Sequence, residues 1–407
     1  MAAAVSDKRF EVSTPETTPV LVSAVRTPIG RYLGGLSALS ASDLGAVAIR
    51  EAVKRAGIDA DAADEVIMGH VLQGGQGQAP ARQAMIKAGI PATVPAMTIN
   101  KVCGSGLKAV MLAAQAIKAR DADCIIAGGM ESMSTSPHYL WGMRGGVKFG
   151  NQELKDGLIH DGLWCSFGDC HMGGHAEYTA EKAGVSREEQ DAFAVNSHQK
   201  AVAAIEGGKF KAEIVPVEVP GRKGPTVVEV DESPRKETSL EALAKLKPAF
   251  QKEGSVTAGN APGLNDGASA VVVVSQAFAE ANGLDILAKI TGYATGGGEP
   301  KDLFFAPIVA VENLMQKSST AIGDYDLIEA NEAFAVQALA DGNALGWDWD
   351  RVNVNGGAVA LGHPIGASGT RILTTLLYAM QDRGASTGLA TLCLGGGNAV
   401  ALSVERA

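Results

Sequence analysis

Short apolar runs alternate with longer helical patterns through most of this chain, and that alternation restricts the fold more than any other feature. Residues 20–25, Val-Leu-Val-Ser-Ala-Val, read as a buried strand. Asp43 reads as the cap of a helix to Arg55, with Leu44, Val47, Ala48 and Ala52 at helical spacing. Residues 66–69 are the next predicted strand; residues 97–102 are another, followed by a helix from Gly104. The run 124–127 predicts a strand ending at Gly128 and Gly129. Strands alternating with helices of this length predict an α/β architecture.

The second half repeats the order of the first. Residues 100–104, Asn-Lys-Val-Cys-Gly, open a helix, and a strand with terminal glycines follows. Residues 353–357, Asn-Val-Asn-Gly-Gly, lead into a helix over 370–383, then a strand at 391–394 and Gly395, Gly396 and Gly397. A duplication of this kind sets two equivalent loops together across a pseudo-twofold axis. Residues 134–263 differ in character, with a charged helix at 186–206 and a polar segment at 221–241. They read as an insertion laid over one face, where substrate contacts are expected. The four valines 271–274 return to core strand. Residues 1–19 read as a short flexible tail: they lack the apolar core of a secretory signal, and Glu11 and Glu16 count against organelle transit. The expected location is cytoplasmic.

Composition excludes several classes. At 407 residues the chain exceeds one ordinary core, so more than one domain is expected. A net charge of -10 disfavours a nucleic-acid partner. No apolar run is long enough to span a bilayer, so no membrane partner is expected. The 5 cysteines are odd in number and none has C-x-x-C spacing. That argues against a disulfide framework and against a structural zinc site.

Cys103 follows a predicted strand and precedes Gly104-Ser105-Gly106 and a helix. A helix N-terminus with free N–H groups favours a thiolate, and the glycines admit a close substrate. The competing reading is a small core cysteine. His363 sits in Gly362-His363-Pro364-Ile365-Gly366-Ala367-Ser368-Gly369, a rigid turn ahead of a helix. Histidine is the natural base for a cysteine nucleophile, although such a loop also suits a phosphate. Cys393 precedes three glycines whose N–H groups suit an oxyanion hole, and a second thiol can act as acid or base. Alone, it reads as a core residue. Asn331, in Glu329-Ala330-Asn331-Glu332-Ala333-Phe334, suits either water positioning or helix capping.

Taken together, these segments resemble the thiolase family in order and spacing from Val20 to Val404. Residues 100–106 match its acyl-enzyme segment, 331–334 its Asn-Glu-Ala-Phe motif, 353–369 its Gly-His-Pro segment and 392–397 its C-terminal active-site segment. The resemblance implies a fold of two similar βαβαβαββ halves in a layered αβαβα core with an inserted loop domain. The halves would be 20–133 with 264–285, and 286–407, with 134–263 inserted. It implies that Cys103 carries the acyl group, that His363 activates it, and that Cys393 moves the α-proton. Asn331 would hold a water that forms one oxyanion hole with His363; the N–H groups of Cys103 and Gly395 would form the other. Such Claisen chemistry needs an electrophilic carbonyl, a carbanion and donors for two oxyanions, and no metal or organic cofactor.

Cys170-His171-Met172-Gly173 is similar to the acetoacetyl-CoA-forming subgroup. His171 and Met172 would line the acyl pocket, with Met172 restricting it to short chains. The resemblance also implies coenzyme A as substrate and product, with Arg235 near the adenine and Phe250 beside it. Leu163, Ala258, Gly259, Ala333 and Phe334 would follow the pantetheine tunnel. The family usually forms a homotetramer of two dimers, held in this subgroup by a loop near residues 134–149. Pro262 replaces a frequent serine, and Leu303-Phe304-Phe305-Ala306-Pro307 replaces the usual Met-Gly-x-Gly-Pro, adding bulk at the tunnel mouth. A degradative ketoacyl-CoA thiolase shares the two cysteines and the histidine. Ketosynthases lack a second cysteine like Cys393, papain-like hydrolases lack the 331–334 motif, and a non-catalytic acyl-CoA or sterol carrier would have lost a catalytic position.

Overall fold

One mixed sheet of ten strands runs through the structure, a computed structural model that describes residues 14–407. The first part contains β1 (Pro19–Arg26), α1 (Ala41–Ala56), β2 (Glu65–Gly69), α2 (Pro80–Ala88), β3 (Ala96–Ile99), α3 (Ser105–Ala119) and β4 (Cys124–Ser132). The inserted segment carries α4 (Met172–Ala183) and α5 (Arg187–Glu206). Then follow β5 (Asn265–Ser275), β6 (Ala288–Gly297), α6 (Ala306–Ser318), β7 (Leu327–Ala330), α7 (Ala335–Leu345), α8 (Ile365–Arg383), β8 (Thr387–Leu394) and β9 (Asn398–Arg406).

The strand order is β7-β8-β9-β6-β1-β5-β4-β2-β3, with the short strand Gly30–Arg31 beside β5. β2 runs parallel to β3 and β4, and β7 parallel to β8, as connections through helices require. The other main pairs are antiparallel. Within the sheet, the two halves are joined by two residue pairs, Val20 with Lys289 and Leu21 with Ala288. Each half therefore packs largely as its own sheet.

Alternation along the strands builds the layers. Val271 and Val273 of β5 pack with Leu107 and Val110 of α3 and Leu373 of α8. Ala270, Val272 and Val274 face the other way, toward Leu44, Ala48 and Ile49 of α1. Helices α3 and α8 thus form the middle layer, α1 lies outside the first half, and Ala310, Val311 and Leu314 of α6 pack on the second. This is the αβαβα arrangement that the thiolase resemblance implies.

Several boundaries differ from the sequence expectation. The cap of α1 is Ser40, not Asp43: Ser40 Oγ accepts from the Asp43 N–H at 3.2 Å, and Asp43 Oδ2 accepts from the Ser40 N–H at 3.0 Å. β3 stops at Ile99, because Asn100 Oδ1 captures the Val102 N–H at 2.9 Å and Val102 turns left-handed at φ +47°. β4 does not end at Gly128 and Gly129 but runs through them to Ser132. A Cβ on Gly129 would overlap the Gly366 carbonyl oxygen, so the glycine admits the start of α8. α8 itself begins at Ile365, five residues ahead of the expected 370. Pro15–Thr17 form a 3-10 turn and β1 begins at Pro19, so the expected flexible tail does not reach residue 19; residues 1–13 lie outside the described residues. No helix among the described residues is long and apolar enough to cross a membrane.

Candidate active site

Cys103 stands two residues before α3, and local hydrogen bonds hold its bend. Ser105 Oγ donates to the Val102 carbonyl at 2.6 Å and accepts from the Lys101 N–H at 2.8 Å. Left-handed Val102 then turns the chain so that Lys101 and Cys103 bridge one another. The N–H groups of Cys103 itself and of Gly395 are directed at the Cys103 sulfur. Those N–H groups favour the thiolate, as the helix-start position suggests. Burial outweighs them and pushes the thiol up to about 12, with Glu131 adding in the same direction. Burial thus favours the thiol over the thiolate in the resting site.

His363 is buried in the turn before α8. Asn265 Oδ1 accepts from its backbone N–H at 2.9 Å. Its Nδ1 lies 2.6 Å from Ser368 Oγ, and that hydroxyl donates to the Pro364 carbonyl at 2.9 Å. A hydroxyl has one proton, so Ser368 must accept from Nδ1–H. In the neutral ring this leaves Nε2 as the acceptor, with Asn331 Nδ2 at 3.5 Å. Burial, and then the Arg371 charge, push the imidazole down to about 3. A neutral ring in this tautomer has its lone pair on Nε2, where a proton can be accepted.

Cys393 is near the end of β8, 1% exposed. Burial pushes its thiol well up, and the neighbouring Cys103 and Asp341 add to that. Asn331 is fully buried and its Oδ1 has no partner. It is not a helix cap, because α7 begins only at Ala335 with Phe334 before it. Gly396 and Gly397 have φ of +81° and +84° and make the turn from β8 to β9. Gly395 has no such strain; it supplies its N–H.

One cavity of about 420 Å³ joins these groups: Cys103, His363, Cys393 and Gly395 all line it. Much of its wall comes from residues 156–172 and 249–264, with further contributions from residues 303–304 and 333–334. Leu163, His171, Met172, Phe250, Ala258, Ala333 and Phe334 line it, as the sequence predicts, and so do Pro262, Leu303 and Phe304. His171 stacks on Phe250 at 4.8 Å between centroids, Phe250 meets Phe334 edge-on at 6.3 Å, and Phe304 meets Phe334 at 5.3 Å. His171 caps α4: its Nδ1 accepts from the Gly173 N–H at 3.0 Å, which aims Met172 at the first turn. Three predicted residues are not brought to the lining: Asn331, which is buried behind His363 with its Nδ2 3.5 Å from the ring Nε2, and Arg235 and Gly259. Arg235 is exposed, and its N–H donates to His198 Nδ1 at 3.1 Å. Gly259 is buried, with the side chains of Leu243 and Leu246 against it.

Ser368 and Asn265 were not singled out from sequence. Ser368 stands five residues after His363 and could have been found from that spacing at a helix start. Asn265 left no local signal, as it comes from a strand 98 residues away. Among the described residues, no group of three or more His, Cys, Asp or Glu is placed to hold a metal ion.

Residues 19–277 match the family model described as thiolase, N-terminal domain, and residues 284–406 that described as thiolase, C-terminal domain. An acetyl-CoA acetyltransferase of Pseudomonas aeruginosa is 57% identical over 388 residues, covering 95% of this chain and 99% of its own length. One from Cupriavidus necator is 55% identical over 391 residues, covering 96% and 100%. The crystal structure of the Bacillus anthracis acetyl-CoA acetyltransferase superposes with a TM-score of 0.94 at 42% identity, covering 96% of this chain and 99% of that one.

Proposed function

Because this chain belongs to the thiolase family, we propose that it is an acetyl-CoA acetyltransferase whose nucleophile is Cys103. It condenses two acetyl-CoA to acetoacetyl-CoA and CoA, and runs the reverse thiolysis. The observation that carries this reading is the meeting of two thiols and a neutral imidazole in one mostly apolar cavity.

Cys103 attacks the thioester carbonyl while His363 Nε2 takes its proton. Burial disfavours both the separate thiolate and the imidazolium, so the proton moves as the C–S bond forms. The N–H groups of Cys103 and Gly395 stabilise the oxyanion. The departing CoA sulfur takes a proton from Cys393, which is left as the thiolate. That thiolate removes the α-proton of the second acetyl-CoA. The enolate oxygen rests on the His363 imidazolium and on a water positioned by Asn331. The enolate then attacks acetyl-Cys103, whose sulfur leaves and regains its proton from His363. Two thiols, one imidazole and the oxyanion donors account for every proton, so the scheme calls on no metal or organic cofactor.

CoA runs along Leu163, Ala258, Gly259, Ala333 and Phe334, with Arg235 and Phe250 nearer the adenine. His171 and Met172 limit the acyl pocket. A homotetramer in the cytoplasm is the proposed assembly; the exposure of Trp141, Met143, Phe149 and Leu154 supports a contact there, and the solution mass tests it.

Chain length is the sharpest test of the reading. Each buried methylene gains about 0.8 kcal/mol where there is room, whereas overpacking costs about 1–3 kcal/mol. The parent enzyme is expected to lose kcat/KM from four- to six- to eight-carbon ketoacyl-CoA, and Met172→Ala to flatten that loss. Values that hold or rise with length in the parent would overturn the short-chain reading in favour of a degradative enzyme.

A further inference from the structure

Two cysteines outside the catalytic machinery face each other across a hairpin. Trp164–Cys165 and Cys170–His171 form a two-stranded antiparallel ladder in which Cys165 is the direct partner of Cys170. Directly opposed residues in such a ladder have Cα atoms about 4.5 or 5.5 Å apart. Both spacings lie inside the range of about 4.4–6.8 Å that a disulfide spans. The sulfurs converge on the same turn residue. Cys165 Sγ accepts from the Gly168 N–H at 3.3 Å, and Cys170 Sγ would lie 3.4 Å from a Cβ at Gly168. Both thiols are free. The turn is held by Trp164 Nε1 donating to Asp169 Oδ1 at 3.0 Å, and by left-handed Asp169 at φ +47°.

Accessibility differs between the two. Cys165 is 2% exposed, Cys170 is half-buried, and the turn 166–169 is open to solvent. An incoming reagent therefore meets Cys170 first, with Cys165 behind it. Burial, Cys165 and Asp169 raise the Cys170 thiol, so reaction is slow at neutral pH and faster in alkali. A thiol raised in this way is also a poor leaving group, so displacement of the Cys170 sulfur from the bond is disfavoured.

We propose that Cys165 and Cys170 are a thiol modification site, converted to an intramolecular disulfide by a low-molecular-weight disulfide R–S–S–R. The Cys170 thiolate attacks one sulfur of the reagent and expels R–S⁻. The Cys165 thiolate then attacks the mixed disulfide and expels the second R–S⁻. Two protein thiols are oxidised, one small disulfide is reduced, and the two protons pass to the two R–SH formed. The bond ties the hairpin directly ahead of His171 and Met172, in the cavity wall. This site is independent of the acyl chain that the cavity takes.

The test incubates the full-length enzyme with oxidised glutathione at mildly alkaline pH, alkylates the remaining thiols and maps the peptides by mass. The expected product links Cys165 to Cys170, is two hydrogens lighter and carries no glutathione. The Cys165→Ser variant should retain glutathione on Cys170, because the resolving thiol is gone. Acyl labelling of Cys103 in the same variant checks its fold. Alkylated Cys165 and Cys170 in the treated parent would overturn the proposal, whether or not Cys103 and Cys393 had reacted. Glutathione stably retained on Cys170 in the parent would overturn it too.

Discussion

In the first half a strand, a sharp bend and helix α3 deliver one sulfur. In the second, a similar succession ahead of α8 delivers an imidazole, and the strand that follows adds a second sulfur. The glycines that make the halves rhyme do different physical work. Gly128 and Gly129 sit inside β4 in extended backbone, where the smallness of Gly129 admits Gly366 and the start of α8, and that of Gly128 admits the Ser269 carbonyl of β5. Gly396 and Gly397 sit past β8 with φ of +81° and +84°, where backbone freedom makes a turn. Gly129 brings the helix of the other half close; Gly396 and Gly397 turn the chain beside the sulfur. Similar topology can therefore hold unlike chemistry, because the site is set by what each loop presents and not by the path alone.

The largest expected contrast is between the two catalytic thiols. Cys103→Ala should lose both acetyl labelling and turnover. Cys393→Ala should still acquire the acetyl group on Cys103, yet fail to exchange the α-proton or to condense. Full turnover in Cys393→Ala would collapse the division of labour between the halves.

A smaller loss is expected at Ser368. Without its hydroxyl, Nδ1–H has no acceptor at 2.6 Å and the ring is free to carry its proton on Nε2. Ser368→Ala should lower kcat by about 10²-fold, the lower end of what general base catalysis contributes. It should leave the urea midpoint near that of the parent. Unchanged kcat would mean that the tautomer is set elsewhere.

The glycine contrast can be measured directly. Gly129→Ala forces a Cβ onto the Gly366 carbonyl and should cost about 1–3 kcal/mol of stability. It should also lower kcat, since α8 starts two residues after His363. Gly396→Ala meets left-handed backbone, with a cost of about 1–2 kcal/mol, and the Phe167 ring at 3.3 Å. Denaturant midpoints and kcat for the two variants decide it. If Gly129→Ala leaves kcat unchanged, the close approach does not position the base.

The smallest expected effect is an absence of one. With His363 pushed down to about 3 and Cys103 up to about 12, the rate of acetyl labelling should cross pH 6–8 without the inflection of an ordinary imidazole. The unfolded chain binds the His363 proton first, near its ordinary 6.5, and the folded chain only near 3. Stability from this group is thus full above about pH 6.5 and falls as pH drops toward 3. An inflection near 6.5 in labelling would show that the imidazole is more solvated than its burial implies.

Much of the layer arrangement was legible in the chain: apolar runs marked strands, and Ser186 or Gly104 marked helix starts. The strand limits were less legible where glycine was the signal. Gly128 and Gly129 looked like an end from composition, because a close approach from residue 366 leaves no local mark. Cys103, His363 and Cys393 were all visible as residue types in Gly-rich settings, and the cavity collects them.

The amino-acid order alone determined which groups are available: a sulfur ahead of a helix, a histidine between glycine and proline, and a second sulfur before three glycines. Only the tertiary structure decided their protonation. The ring of His363 is neutral because burial and the Arg371 charge act on it together, and Ser368 Oγ holds its one proton on Nδ1. Cys103 is a thiol because desolvation exceeds the help of two N–H groups, one from a residue 292 positions later. Desolvation sums over every atom that displaces water, near or far in sequence, so no local pattern can report it.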